Sequence, residues 1–125
     1  MSKLVKVTKR NSGNYKNKKE IEFAENILKR ILEIPINNPD RFTQIGSNAD
    51  SDLWGKIDWA GRAMIRKSIV DNFLKENNID PRAFLKWAKK NEYLIAQDGH
   101  TTYCARIPGD PRVIRCVYFA VRLEP

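Results

Sequence analysis

Two different periods of apolar and polar residues run along this chain, and the switches between them mark out its elements. In "EIEFAENILKRILEI", residues 20–34, Ile21, Ala24, Ile27, Leu28, Ile31 and Leu32 recur at the helical spacing. Its acids come early and Lys29 and Arg30 late, as the helix dipole favours, so the pattern predicts a helix that Pro35 ends. "PINNPD" then reads as a loop. From Arg41 to Lys67 the period shortens to the strand-length pieces "RFTQI", "DLWGKID" and "AMIRK", separated by the polar "GSNADS" and the turn-like "DWAG". A small antiparallel sheet is the simplest account. Trp54 and Trp59 flank its middle strand and turn; one is expected in the core, and an exposed Trp59 would be the one to examine for stacking.

The helical period returns over residues 68–77, where Ile69, Val70, Phe73 and Leu74 make an apolar face. Ser68 followed three positions later by Asp71 has the form of a capping box with Asp in place of Glu. After "ENN", Ile79 is placed to pack ahead of the next cap, Asp80 is a good N-cap, and Pro81 loses no needed N–H in the first turn. In "DPRAFLKWAKK" Phe84, Leu85 and Ala88 cluster on one side with Trp87 at the margin. Arg82, Lys86, Lys89 and Lys90 fall on the opposite arc. Two helices joined by so short a turn are the helix-turn-helix arrangement.

Beyond Asn91 come "YLIAQ", the turn "DGH", "TTYCARI", the turn "PGDP" and "RVIRCVYFAV", where Asp-Gly and Pro-Gly-Asp-Pro are hairpin signals. Arg106, Arg112 and Arg115 lie near the tip of the second hairpin. Helix, helix and twisted hairpin in this order predict an α+β fold: a winged helix-turn-helix-like domain over residues 20–125, with an extra N-terminal helix and a small antiparallel sheet. The hairpin register decides whether Cys104 and Cys116 face opposite sides or stand across from each other, and the sequence leaves both open. Without a C-x-x-C, and with His100 the single histidine, neither a disulfide scaffold nor a zinc site is indicated.

Composition changes this picture only through its charge. At 125 residues and 42% hydrophobic, the chain suits one soluble domain with one apolar core. It has no apolar run long enough to span a bilayer and no secretory leader pattern, so no membrane is expected and the cytoplasm is the default location. The net charge of +8 sits at the two ends: seven basic and no acidic residues precede Glu20, while the middle is on balance acidic. Residues 1–19 read as a basic arm or linker, either following a phosphate backbone or simply solubilising. The positive charge makes nucleic acid, DNA above all, the expected partner.

Catalytic motifs are missing. The single Gly-Lys pair, Gly55-Lys56, has Asp50 where a phosphate-cradling loop needs its first glycine, and neither G-x-S-x-G nor H-E-x-x-H occurs. The sequence therefore predicts no enzyme and no cofactor. Arg82 and Lys86 are the candidate base-edge contacts. Lys89, Lys90, Arg106, Arg112 and Arg115 are the candidate phosphate contacts. The competing reading is a winged-helix module that docks a protein through the same stripe.

The segments "EFAENILKRIL", "WGKID", "AMIRKSIVDNFLKENNIDPRAFLKWAKKNEYLI" and "ARIPGDPRVIRCVYF" together carry a resemblance. From Glu20 to Val121 their order resembles the C-terminal region of an uncharacterised family of helicase-like ATPases carried by bacterial mobile elements, prophages and plasmids. In that family an ATPase module precedes a small winged-helix-like domain that touches DNA. The resemblance implies an accessory nucleic-acid-handling domain with a helicase-like ATPase as possible partner. The ATPase portion has no counterpart in this chain, so no nucleotide-binding residues carry over.

Overall fold

The computed structural model of the protein describes residues 17–44, 53–107 and 110–123. Most of the basic arm expected over residues 1–19 lies outside them. The first helix, α1, runs Lys18–Asn37 and is capped by Asn17, whose side chain accepts from the Glu20 N–H at 2.9 Å. Ala24, Ile27, Leu28, Ile31 and Leu32 are buried, as the periodicity predicts, but Pro35 does not end the helix. Its ring is buried at the next position of the same stripe, and this burial offsets the one backbone hydrogen bond a proline forfeits. Asn38 ends the helix, with both its backbone N–H and its side-chain amide donating to the Ile34 carbonyl. "PINNPD" is thus a helix end followed by a 3-10 turn over Pro39–Arg41.

Three strands follow: β1 (Phe42–Gln44), β2 (Gly55–Ile57) and β3 (Arg62–Arg66). The strands are where the sequence places them, but β1 and β2 pair in parallel. Ten residues separate them, whereas a two-residue hairpin turn would have forced an antiparallel pair. At Gly55 the sheet closes so tightly that a Cβ would stand 1.9 Å from the Met64 carbonyl oxygen, which explains the glycine in "WGKID". Trp54 is half-buried, with its ring edge-on to Phe42 and the Arg41 guanidinium over its face. Trp59 is 86% exposed.

Strand β3 runs without a break into α2 (Lys67–Glu76), so that Arg66 is both the last strand residue and the helix cap. The capping box expected from Ser68 and Asp71 does not form, because the helix starts one residue before Ser68. Asp71 instead pairs with Lys67 at 2.6 Å. The turn into α3 (Pro81–Lys90) is built by Asn78 in the left-handed region, with the Ile79 N–H reaching back to the Leu74 carbonyl. Ile79 is buried, and Asp80 caps α3 by accepting from the Ala83 N–H at 3.3 Å, both as expected. Trp87 is not marginal: it is fully buried between Phe84 and Tyr93, ring centroids 5.6 and 5.4 Å away.

The remaining strands are β4 (Leu94–Ile95), β5 (Tyr103–Arg106) and the long β6 (Val113–Arg122). The Asp-Gly turn does not make a hairpin of β4 and β5. Both pair antiparallel with the same edge of β6, as one strand interrupted by a loop over residues 96–102. That loop turns at Gly99, whose φ of 77° suits glycine, and is closed by the His100 N–H donating to the Gln97 carbonyl. The second predicted hairpin does form: β5 and β6 make the wing, with Arg106 opposite Val113. Its register pairs Cys104 with Arg115 and Cys116 with Tyr103, so the two thiols face opposite sides of the sheet.

Among the described residues the strands form one sheet in the order β1-β2-β3-β6-β4, with β5 beside β6. Ala63, Ile65, Val117 and Phe119 on one face pack against the helices, and Met64, Cys116 and Tyr118 on the other join Leu53 and Ile107 in a smaller cluster. A first helix, strands leading into two helices, and a wing whose long strand β6 folds back on β3 make this an α+β winged helix-turn-helix domain.

Candidate nucleic-acid interface

Helix α3 inserts Phe84, Leu85, Trp87 and Ala88 into the core, which fixes the direction of its other face. Arg82, Lys86 and Lys90 are exposed on that face and Lys89 is half-buried beside them. They do not stand on an open helix surface. The 96–102 loop rises alongside α3, and between the two lies a groove of about 890 Å³. Its cationic lining comes from three elements: Lys67 at the start of α2, the four basic residues of α3, and Arg115 of β6. Gly99, His100, Thr101 and Thr102 form the other wall, and no carboxylate lines it.

Some of these charges are already engaged. Lys89 Nζ donates to the His100 carbonyl at 2.7 Å, and Arg115 donates to Thr102 Oγ1 at 2.8 Å, so both tie the loop to the groove floor. Lys67 is held by Asp71. Arg82, Lys86 and Lys90 make no hydrogen bond or ion pair with the described residues. Cations crowded in one concavity raise its potential, and an anion entering it replaces mutual repulsion with pairing. Phosphate or a similarly charged group is the chemistry that such a lining can accommodate.

The wing arginines divide. Arg115 lies three positions into β6 rather than at the tip, on the face that carries Val117 and Phe119, and so reaches the groove. Arg106 is exposed and donates to the Pro111 carbonyl at 3.0 Å. Arg112 is gripped by Asp110 through both carboxylate oxygens at 3.1 and 3.2 Å, and Asp110 also meets Arg66 at 3.4 Å. The Arg112 hydrogen bond, with help from its backbone N–H, holds the Asp110 carboxyl far below the usual carboxylate range. Arg106 and Arg112 are therefore outside the groove, and Arg112 is the more fully neutralised. Cys116 is fully buried in the smaller cluster, and burial pushes its thiol up to about 11.

Sequence reasoning missed Lys67 and the loop wall. The signal for Lys67 was its place at the end of the strand-like "AMIRK", where the helical period of α2 takes over. The loop was hidden by its Asp-Gly pair, which reads as a hairpin. Among the described residues no cluster of His, Cys, Asp and Glu could hold a metal ion, and no helix is long and apolar enough to cross a membrane. The family model of the Cch helix turn helix domain matches residues 22–124, and the chain belongs to that family. Membership in a helix-turn-helix family supports nucleic-acid binding. No curated protein and no solved structure matches the chain.

Proposed function

We propose that this Cch helix-turn-helix domain is a non-catalytic DNA-binding module that seats duplex DNA against α3 and serves a helicase-like ATPase of a mobile element or phage. One observation carries the DNA half: Lys67, Arg82, Lys86, Lys89, Lys90 and Arg115 converge on one groove without a carboxylate. In this fold the second helix enters the major groove with its N-terminal residues toward base edges. Arg82 in the first turn of α3 and Lys86 one turn later are the base-edge contacts in this reading. Lys67, Lys90 and Arg115 take phosphates on either side, fixing register without reading sequence. Lys89 holds the loop wall, Arg106 meets phosphate from the wing's outer side, and Arg112 shapes the wing tip. Domain boundaries follow from this: residues 20–125 are the binding domain and residues 1–19 a basic arm that adds backbone contacts.

The groove favours nucleic acid over a docked protein, since its lining has no large apolar side chain to act as a hot spot. The ATPase half rests on the shared order of motifs described above. Anisotropy titration of a labelled duplex tests the DNA half. Affinity is expected to fall by roughly a hundredfold or more between about 50 and 200 mM salt, and further on Lys86→Glu with Lys90→Glu. Binding that is absent, or indifferent to salt, would reject it. Co-purification with an ATPase encoded beside it tests the other half, and the charge-reversed protein should still co-purify.

A further inference from the structure

We infer that Trp59 is a stacking platform for an unpaired nucleobase of a single strand, with Arg122 taking the adjoining phosphate. The groove plays no part in this site. Arg115 and Arg122 are seven positions apart on β6, roughly 23 Å of extended strand, and Trp59 sits at the Arg122 end.

Trp59 is 86% exposed, at the tip of the β2–β3 turn, and its ring touches no other ring or cation among the described residues. A single exposed apolar side chain is ordinary on a protein surface, and what marks this one is the turn that carries it. This turn is not flexible. Asp58, 3% exposed, accepts from the Ala60 and Arg62 N–H groups at 2.9 Å each, from Arg62 Nε at 2.9 Å and from the Tyr118 hydroxyl at 2.5 Å. The Leu123 N–H donates to the Gly61 carbonyl at 2.8 Å, which ties the turn to the end of β6. The indole is therefore carried by a turn whose backbone is already ordered, so that only the Trp59 side chain itself has to be fixed when a ligand arrives.

The neighbours of Trp59 indicate what covers it. Gly61 has a φ of 83°, and the Arg122 side chain lies across it, 3.3 Å from where a Cβ would be. Arg122 is exposed and has no hydrogen-bond or ion-pair partner among the described residues. Arg62 is occupied by Asp58. A free guanidinium lying over Gly61 and a bare indole two residues earlier in the same turn, with no other exposed large apolar residue there among the described ones, lack the desolvated core of a protein interface. They suit a nucleotide, whose base has a π-face of any sequence and whose phosphate needs one cation. Duplex bases are already stacked on each other, so the ligand is a single strand.

Intrinsic fluorescence reads this site, because Trp87 is fully buried and Trp54 half-buried. A short dT oligonucleotide is titrated into the whole chain, following both indole emission and anisotropy of the labelled strand. Quenching is expected, with Trp59→Ala weakening dT binding roughly tenfold and Trp59→Phe keeping most of it. Arg122→Ala should weaken binding and lower the single-strand salt slope by about 0.7. Duplex affinity, a groove property, should change less than about twofold in each variant. Melting curves matching wild type establish that the variants fold. An unquenched indole, or dT affinity unchanged in Trp59→Ala, overturns the inference. Loss of duplex binding in the Lys86→Glu variant is read separately, so failure of the groove reading and failure of this one are distinguishable.

Discussion

Glu92 has a φ of 66°, in the left-handed region that an L side chain enters at a cost of about 1 kcal/mol. It is exposed, and its backbone ends α3 by letting the Tyr93 N–H reach the Ala88 carbonyl. Glycine has no such penalty, so Glu92→Gly should raise stability by about 0.5–1 kcal/mol, seen as a higher urea midpoint at unchanged slope. Asn78 plays the same part at the end of α2 with a φ of 59°. The sequence shows the stop in both places, as "NNI" and "NEY": an asparagine, a left-handed residue and an apolar residue that folds under the helix. It does not show that Tyr93 then walls in Trp87, which is why Trp87 reads as marginal from angles along α3 alone. Burial of a ring at the edge of an apolar arc is decided by what arrives from elsewhere in the chain.

The Asp58 turn is the element whose chemistry is most exposed to pH. Burial alone would raise its carboxyl, but hydrogen bonds from Tyr118, Arg62 and Ala60 outweigh burial and pull it below its ordinary value of 3.8. A depressed carboxyl contributes stability that is complete above the ordinary value and is lost as pH falls through the depressed one. Stability should therefore decline on acidification below about pH 4, and Asp58→Asn should be less stable at neutral pH and flatter in acid. Asp58→Ala leaves the Tyr118 hydroxyl and Arg62 without their acceptor and should cost about 3 kcal/mol by urea melt. Tyr118→Phe removes one bond and should cost about 1. Elements of this kind are legible where a local pattern decides them: α1, α3, the Asp80 cap and the wing were all readable. Three features were not. Pro35 continues a helix because its ring fills the core stripe, Ser68 fails to cap because β3 leads straight into α2, and β4 and β5 meet β6 rather than each other. The Ser68 case turns on the neighbouring Arg66–Lys67 junction, whereas the pairing of β4 and β5 is settled by a strand far away in sequence.

The molecule as a whole carries +8, yet the charge available to a polyanion is set by which cations the fold has already paired. The stripe on α3 was legible from helical angles, and Lys67 and Arg115 were brought to it by the strand-to-helix junction and the wing register. Arg112 is close in sequence to Arg115 but spends its charge on Asp110. Under the proposed function the cations without a partner, rather than the total of arginines, make up the binding surface. This distinction can be measured. For duplex DNA the slope of log affinity against log salt is about −0.9 per phosphate neutralised. Lys90→Ala should make the slope shallower by about 0.9, because that cation has no partner to lose among the described residues. Arg112→Ala should weaken binding slightly, by baring Asp110 toward the wing, while leaving the slope unchanged. Asp110→Asn should do the reverse: with Arg112 released, the wing gains a phosphate contact and the slope steepens by up to about 0.9. A shallower slope in Arg112→Ala together with no change in Asp110→Asn would mean that Arg112 already meets DNA in the wild-type protein, and that the Asp110 pair opens on binding.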